Sequence, residues 1–401
     1  MNAAPSPPPP GPRFARRVAS IDGETAAYTG SLTALVGAIE DFQKWTDERA
    51  KGLKLRKVGE GSYGEVYRAT APSGESVIFK LVPLRARKGQ GSRMYTPIKD
   101  AVNEVKLLER MSEVPGLVEY RGGALLIGRM PAALVSEWQT YKESSRTSES
   151  RNPADKLSYP PTQLWLALEM SDAGEDLSNY RPPGTLSASL SARELSIYRV
   201  WDIFWQVVGI LARAETHAEF EHRDLHFGNI CIKDTREQQD EENMEVVPYE
   251  DTTRFKLDNT GLQVTLIDYT LARATVMENQ VLFTDLSKDQ NLMKAKDRTY
   301  KYMEEVVRVG GWGEYAPETN VMWLQQLLEK LLSITTIPSK DVWHTKGDQI
   351  TATRKMKQIL EEVEGMIQRK DWREWKVRSA SDLLGFSVQR GWFRLEEFIK
   401  G

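Results

Sequence analysis

Apolar and polar residues alternate along 54–58, 66–70 and 76–81, with turn residues between these runs. This alternation predicts consecutive β-strands. Residues 101–111 instead place apolar side chains three or four positions apart, which predicts a helix. The apolar run 164–170 predicts one further, buried strand. The first part of the chain is therefore expected to be rich in β-structure.

Helical spacing dominates the second part of the chain. Large apolar residues recur at helical steps from 192 to 220, which predicts a long buried helix, and two short apolar strands follow at 230–233 and 262–267. A similar apolar stripe from about 31 to 45 predicts one amphipathic helix on the outside of the first part. The expected class is α+β, with a small β-rich amino-terminal lobe and a larger, mainly helical carboxy-terminal lobe.

Polar and proline-rich stretches mark the expected boundaries within this architecture. A run of prolines and the absence of apolar periodicity predict a disordered tail at the amino terminus. Two polar segments predict insertions at 136–162 and 235–261. The expected segments are a Pro-rich tail (1–30), an amino-terminal helix (31–52), the first lobe (53–170), and a hinge with the second lobe (171–401).

Composition narrows the class of protein only modestly. The chain has 401 residues, 40% of them hydrophobic and 28% charged, which is typical of a globular protein of two domains. A net charge of −3 predicts no direct sequence-specific binding to nucleic acid. No apolar run approaches the ~20 residues of a membrane span, and no secretory signal opens the chain. The single cysteine, Cys231, excludes an internal disulfide framework and favours a reducing compartment.

Residues 59–66 read Gly-Glu-Gly-Ser-Tyr-Gly-Glu-Val. Gly59, Gly61 and Gly64 would let the backbone approach phosphates closely, and Val66 would cover the base of a nucleotide. Dinucleotide-binding folds use the same glycine spacing, but there it opens a helix. β-branched and aromatic residues follow here, so a strand is expected and the kinase type of loop is favoured.

Lys80 follows at the end of the strand predicted at 76–81. Its place matches the lysine that holds the α- and β-phosphates of ATP in protein kinases. Glu104, on the helix predicted at 101–111, is the candidate for the carboxylate that orients Lys80. Glu109 and Glu113 are the competing carboxylates nearby.

The strand predicted at 164–170 leads into Ser171-Asp172-Ala173-Gly174. In a kinase this stretch is the hinge that contacts the adenine. Met170 would then guard the back of the adenine pocket, Ser171 and Gly174 would line it, and Asp176 would lie near the ribose. A buried strand followed by a turn accounts for the same residues equally well.

Catalytic chemistry is indicated by residues 221–229, Glu-His-Arg-Asp-Leu-His-Phe-Gly-Asn. Asp224 can accept the proton of an attacking hydroxyl, and Asn229, at the far end of the loop, can bind magnesium. Asp268, directly after the strand predicted at 262–267, matches the aspartate that completes the magnesium site. ATP and Mg²⁺ are therefore the predicted cofactors. His222 and His226 are expected to support the loop and not to react.

Five elements in this order resemble the eukaryotic protein kinases and imply a bilobal protein-kinase-like fold. Several stretches resemble the haspin family more closely, and Asp268-Tyr269-Thr270 shares with haspins the replacement of the usual Asp-Phe-Gly. The resemblance covers about 53–384. Its other motifs are the loop 220–229, Trp312-Gly313-Glu314-Tyr315, residues 320–324 and residues 379–384.

The resemblance implies a serine/threonine protein kinase that phosphorylates a threonine near the amino terminus of the histone-three tail. It also implies a role in mitosis, a location in the nucleus and on chromosomes, and activity without phosphorylation of the activation segment. A monomer is expected. Asp285 and Asp289 match acidic residues that hold the basic tail. Asn291 and Ser178 stand where further acids are expected, which predicts weaker attraction for the tail.

Two more stretches bear on the resemblance. The family's usual Asp-Ile-Tyr-Arg run appears here as Arg298-Thr299-Tyr300-Lys301, a change for which the sequence offers no physical account. Residues 316–318 spell the Ala-Pro-Glu of ordinary kinases. Because they lie within a haspin-like region, this match is either coincidental or a true counterpart.

Two alternative functions stay open. A pseudokinase, which binds nucleotide or a histone tail without transferring phosphate, would be marked by loss of Lys80, Asp224 or Asp268, and all three are present. A small-molecule kinase of the choline or aminoglycoside type uses a similar His-x-Asp loop. Such enzymes usually carry glycine at the position of Arg223 and lack a matched glycine loop.

Overall fold

The computed structural model describes most of the chain. The described residues are 23–61, 64–85, 95–144, 159–182, 194–235, 260–278, 280–294, 298–336, 347–368, 377–394 and Phe398. The first 22 residues of the predicted tail, most of both predicted insertions, and Ser62 and Tyr63 of the glycine loop lie outside them.

The chain divides into two compact units. The first unit takes its residues from 1–75, 79–101 and 123–168, and the second takes its residues from 76–78, 102–122 and 169–401. The predicted α+β class is confirmed, because the main sheet lies toward the amino terminus and the carboxy-terminal part is mainly helical.

A six-stranded sheet, with most of its residues in the first unit, has the order β1-β5-β6-β4-β3-β2. Strands β2 and β3 are antiparallel neighbours, and they enclose the predicted glycine loop. The short β1 pairs in parallel with β5. The strands are β1 (Glu40–Asp41), β2 (Lys54–Glu60), β3 (Glu65–Thr70), β4 (Ser76–Leu84), β5 (Tyr120–Ile127) and β6 (Leu164–Ser171).

The prediction of a single helix at about 31–45 is wrong, because two helices flank β1. Helix α1 (Gly23–Val36) begins within the expected tail and ends at Gly37, whose positive φ of 89° does not continue a helix. Helix α2 (Phe42–Arg49) begins anew because the Asp41 carboxylate accepts a hydrogen bond from the backbone N–H of Lys44 at 2.9 Å. The apolar pattern suggested one helix because buried residues of both helices contribute to it.

Helix α4 (Ala132–Glu143) occupies the beginning of the predicted polar insertion. It is anchored because Leu134 and Trp138 are buried and the Tyr67 hydroxyl donates to the carbonyl of Leu134 at 3.1 Å. The insertion therefore starts as a packed helix in the first unit, and not as an exposed polar segment.

Helix α5 (Ile197–Ala218) forms the core of the second unit, as the helical spacing predicted. The Ser196 hydroxyl caps its amino terminus by accepting from the backbone N–H of Arg199. Trp201 and Trp205 are fully buried and pack against Phe393. The other helices are α3 (Ile98–Met111), α6 (Gln290–Met293), α7 (Thr299–Val307), α8 (Glu318–Ser333), α9 (Gly347–Ile367) and α10 (Ala380–Gln389).

Small sheets position the loops of the second unit. Strand β9 lies between β7 and β10, and all three run antiparallel to their neighbours. In the described parts of the chain, no helix combines the length and the apolar character needed to cross a membrane. The remaining strands are β7 (Glu175–Asp176), β8 (Leu195–Ser196), β9 (Ile230–Asp234), β10 (Leu262–Leu266), β11 (Ala274–Met277), β12 (Gln280–Leu282) and β13 (Thr335–Thr336).

Gly174 offers a test of how tightly β7 is held against β9. Its φ is +91°, and a Cβ atom added there would lie 2.2 Å from the carbonyl oxygen of Ile232. Gly74 has a similar φ of +93° but open space around it. We expect Gly74→Ala to cost about 1–2 kcal/mol for backbone strain alone, and Gly174→Ala to cost about 1–3 kcal/mol more for the clash. Urea unfolding of the two variants measures the difference, and equal losses would contradict the close packing.

Candidate active site

The glycine loop lies in the first unit, between β2 and β3. Gly59 pairs with Val66 across the two strands, and the backbone N–H of Gly61 donates to the carbonyl of Gly64 at 2.9 Å. A Cβ atom on Gly64 would lie 3.2 Å from the carbonyl oxygen of Leu81, and one on Gly61 would lie 3.5 Å from Cε of Lys80. The loop therefore lies directly over Lys80 on β4, and it has the glycine cradle and cation that suit a nucleotide's phosphates.

Lys57 supports this loop from inside the sheet, and the sequence reasoning missed it. Its side chain is fully buried, and its Nζ donates to the carbonyl of Gly59 at 2.7 Å. The same Nζ forms ion pairs with Glu65 at 2.7 Å and Glu60 at 3.1 Å, and it lies 4.2 Å from the ring centre of Tyr141. The missed signal was opposite charge at inward-facing positions of two paired strands.

The predicted partners Lys80 and Glu104 lie in different units. Lys80 is half-buried on β4 in the first unit, and Glu104 is half-buried on α3 in the second unit. Their ion pair stays a prediction.

The predicted hinge residues lie in the second unit, from the end of β6 to β7. The backbone N–H of Ser171 donates to the carbonyl of Glu119 at 2.9 Å, and Met170 beside it is half-buried. Gly174 is forced to be glycine by the nearby Ile232 backbone. The Asp176 carboxylate accepts from the backbone N–H and the side-chain amide of Asn179 at 3.2 and 2.7 Å. Asp176 thus has a turn-forming role, and its ribose role stays a prediction.

Asp224 and Asn229 lie at the two ends of one short loop in the second unit. The side-chain amide of Asn229 donates to the carbonyl of Asp224 at 2.8 Å, and the Asn229 backbone N–H donates to the carbonyl of His226. These bonds fix the buried Asn229 so that its side-chain carbonyl oxygen is the atom suited to bind a cation. The loop therefore holds a carboxylate and a magnesium-type ligand in a defined relation.

Asp268 is tied to the same loop. The backbone N–H of Ile267, its neighbour, donates to the carbonyl of Asn229 at 3.0 Å. Asp268 adopts a φ of +63°, which is a strained conformation for a residue with a side chain, and the Thr270 hydroxyl donates to its carboxylate at 2.5 Å. Carboxylate and amide oxygens are the ligands that Mg²⁺ prefers, so the donor set fits this ion.

His222 supports the loop as an uncharged residue. It is completely buried, and its Nε2 donates to the carbonyl of Ile267 at 3.1 Å. Burial lowers the pKa of His222 to about 4, so the ring is neutral near pH 7. His226 accepts from the backbone N–H of Gly228 through Nδ1, and its Nε2 lies 3.8 Å from Oδ2 of Asp224.

Arg223 receives its counter-charge from within the loop. The guanidinium is fully buried and binds the carboxylate of Glu221 through Nε and Nη2, each at 3.0 Å. The backbone of Arg223 has a positive φ of 63°. Glu221 also accepts from the backbone N–H of Ala316 and the hydroxyl of Thr319, each at 2.8 Å. Burial raises the pKa of Glu221, and the Arg223 guanidinium opposes that rise. The Arg223 guanidinium also lies 5.3 Å from the ring centre of Trp312.

Asn320 on α8 fixes the start of the loop. Its carbonyl oxygen accepts from the backbone N–H of His222 at 3.0 Å, and its amide donates to the carbonyl of Phe220 at 2.9 Å. The same amide donates to the buried carboxylate of Glu215, which also accepts from the first residues of α10, Ala380 and Ser381. The motifs around 220, 312, 320 and 380 thus meet in one buried polar network.

Glu318 is the last residue of the Ala-Pro-Glu match. It is buried at the start of α8 and forms an ion pair with Arg378. The neighbouring Ala316 binds Glu221 through its backbone. Residues 316–318 therefore have a structural role that joins three parts of the second unit.

Asp285 and Asp289 flank a short 3-10 turn, Leu286–Lys288, near the carboxy-terminal side of β12. The carboxylate of Asp285 accepts from Ser287 and forms an ion pair with the exposed Lys288 at 2.9 Å. These hydrogen bonds hold the pKa of Asp285 below its usual range. Asp289 is exposed and caps α6 by accepting from the backbone N–H of Leu292. Their role in binding a tail stays a prediction.

A glycine loop with a lysine on the next strand, a catalytic-type loop, and an aspartate whose neighbour Ile267 is hydrogen-bonded to that loop are typical of a protein-kinase-like domain. The family model described as "Haspin like kinase domain" matches residues 33–384. The chain therefore belongs to the haspin-like kinase family, as the sequence motifs predicted.

Named relatives agree with this family. The chain is 31% identical over 301 residues to the serine/threonine-protein kinase haspin homolog hrk1 of Schizosaccharomyces pombe, covering 71% of this chain and 56% of that protein. It is 28% identical over 305 residues to the Drosophila melanogaster haspin homolog, covering 71% and 49%. It is 29% identical over 299 residues to the haspin kinase of Bos taurus, covering 71% and 35%. The match thus spans about a third to a half of the relatives' length.

The buried pair of Glu221 and Arg223 can be tested by removing one charge. We expect Glu221→Gln to destabilise the second unit by about 3–5 kcal/mol, because Arg223 stays buried without a counter-charge. Glu361→Gln is the matched control, since Glu361 also lies in the second unit and forms an exposed ion pair with Lys357 on α9. That exposed pair is expected to contribute less than about 1 kcal/mol. Thermal unfolding compares the two, and similar losses would show that the buried network is unimportant.

Proposed function

We propose that the chain is an ATP- and Mg²⁺-dependent serine/threonine protein kinase that phosphorylates a threonine near the amino terminus of a histone-three tail. The observation that carries the proposal is the bond between Ile267 and Asn229, which joins the loop of Asp224 to the residue beside Asp268. A proton acceptor and two oxygen ligands are thereby held on adjoining segments of the second unit.

Asp224 is proposed to orient the threonine hydroxyl and accept its proton as the phosphoryl group moves in line. The backbone of Gly59, Gly61 and Gly64 would cover the phosphates, and Lys80, oriented by Glu104, would hold them. Val66 would cover the base, and Met170, Ser171, Gly174 and Asp176 would hold the adenosine part of the nucleotide. Asn229 and Asp268 would hold Mg²⁺, which neutralises charge on the transferring phosphoryl group.

A pseudokinase is less well supported, because Lys80, Asp224 and Asp268 are all retained in organised surroundings. A small-molecule kinase is disfavoured by Arg223. Its guanidinium is buried against Glu221 and Trp312, so this position contributes an ion pair that glycine could not provide.

The histone tail is the proposed substrate because the chain belongs to the haspin-like family, with nucleus and mitotic chromosomes as the proposed location. Asp285 and Asp289 are the proposed contacts for a basic tail. The chain is proposed to act as a monomer, without direct sequence-specific binding to nucleic acid. Because Lys288 already pairs with Asp285, a basic peptide has to compete with a charge of the protein itself.

Replacing the proposed base tests the reaction. With radiolabelled ATP, Mg²⁺ and a peptide of the histone-three amino terminus, we expect Asp224→Asn to lower kcat by about 10²–10⁴-fold, the range for loss of a general base. ATP binding, measured by calorimetry, is expected to change little, because Asp224 contacts the hydroxyl and not the nucleotide. Asp268→Asn is expected to weaken Mg²⁺-dependent ATP binding as well.

Asp47→Asn, at an exposed aspartate of α2, is the matched control and is expected to leave turnover unchanged. Normal turnover in Asp224→Asn contradicts the assignment of the base. No transfer to any peptide by the unaltered chain supports the pseudokinase, and transfer to a hydroxyl metabolite supports the small-molecule kinase.

Replacing Lys288, which pairs with Asp285, tests the proposed binding site for the tail. Lys288→Ala is expected to lower the KM of the basic peptide by up to about 5-fold, the effect of one exposed ion pair, with kcat unchanged. Lys44→Ala, which removes an exposed lysine paired with Glu48 in the first unit, changes the net charge equally and is the control. The same KM for both variants would argue against Asp285 as a contact for the tail.

A further inference from the structure

Asp224 has a hydrogen-bond partner that the proposed mechanism does not use. The hydroxyl of Tyr300 donates to Oδ1 of Asp224 at 2.6 Å. This distance is typical of a hydroxyl that donates to an ionised carboxylate, which is among the stronger hydrogen bonds in proteins. The other oxygen, Oδ2, lies 3.8 Å from Nε2 of His226, beyond hydrogen-bond distance. Of Tyr300 and His226, Tyr300 therefore makes the closer contact with the Asp224 carboxylate.

Packing holds the Tyr300 ring in place. Tyr300 lies in the first turn of α7 and is 7% exposed. Its ring packs edge-on against Trp323 of α8, with centroids 5.6 Å apart and planes at 73°. Beside it, the hydroxyl of Thr299 accepts from the side-chain amide of Gln326 on α8 at 2.5 Å. The hydroxyl thus reaches Asp224 from a ring that two contacts to α8 keep in one orientation.

The same helix also holds the loop on which Asp224 lies. Asn320, three residues before Trp323, binds the backbone N–H of His222 and the carbonyl of Phe220. Both partners of the hydrogen bond between Tyr300 and Asp224 are therefore positioned by α8. A pre-organised donor of this kind restricts the rotation of a carboxylate.

We infer that Tyr300 is a positioning residue for the proton acceptor, holding the Asp224 carboxylate in one rotamer for the incoming hydroxyl. This inference rests on the proposed kinase function. Tyr300 is also the residue of the stretch Arg298-Thr299-Tyr300-Lys301 that keeps the tyrosine of the family's Asp-Ile-Tyr-Arg run.

Tyr300→Phe removes the hydroxyl and keeps the ring against Trp323. With ATP, Mg²⁺ and the histone-three peptide, kcat is expected to fall by about 10–100-fold, the effect of losing one hydrogen bond to a charged group. The KM for ATP is expected to stay the same, because the nucleotide loses no contact. Tyr302→Phe, the same substitution two positions along α7, is the control and keeps its kcat.

The split between kcat and KM gives a readout that a merely structural role does not change. Without the donor, the Asp224 carboxylate is expected to lose its fixed orientation toward the incoming hydroxyl, so kcat falls while the KM values for ATP and for the peptide stay unchanged. A kcat within 2-fold of the unaltered protein, or a fall in kcat that comes with a higher KM for ATP, overturns the role of Tyr300. Full turnover in Asp224→Asn overturns the proposed function itself, so the two failures are distinguishable.

Discussion

The ion pair between Glu221 and Arg223 is the interaction on which the catalytic loop depends. Both side chains are fully excluded from solvent, and a buried charge is tolerated only when a partner and hydrogen bonds compensate it. Glu221 meets this condition by also accepting from Ala316 and Thr319, so the pair forces the start of α8 against the loop. The backbone of Arg223 has a positive φ of 63°, and the contacts of its side chain with Glu221 compensate this strain.

Helix α8 extends this constraint to the reactive groups. Glu318 anchors its beginning to Arg378, Asn320 binds the backbone around His222, and Trp323 packs against Tyr300. One helix thus positions the loop that carries the proposed base Asp224, and also Tyr300, whose hydroxyl donates to that base. Because Arg223 obtains its counter-charge from Glu221 inside the chain, we propose that this arrangement needs no phosphate on the activation segment, which agrees with the family's expected behaviour.

The first unit follows the same principle at the glycine loop. Lys57 is buried among the carboxylates of Glu60 and Glu65 and donates to Gly59, so it fixes the hairpin at the residue where the loop begins. Sequence reasoning recognised the glycines, because the need for close backbone approach leaves a regular spacing. It overlooked Lys57, because a lysine in an alternating strand is ordinarily exposed and only its paired strand brings the matching carboxylates.

The sequence by itself determined the class of fold, the family, and the residues proposed for the chemistry. Strand and helix periodicities reflect local geometry, and the spacing of Asp224 and Asn229 reflects a short loop, so both can be read along the chain. Only the tertiary structure decided that two helices stand at 23–49, that Glu318 pairs with Arg378, and that Tyr300 reaches Asp224. The strand between the two helices pairs with the distant β5, and the other two contacts also join residues far apart in sequence. No local pattern specifies which distant segment will face a given residue.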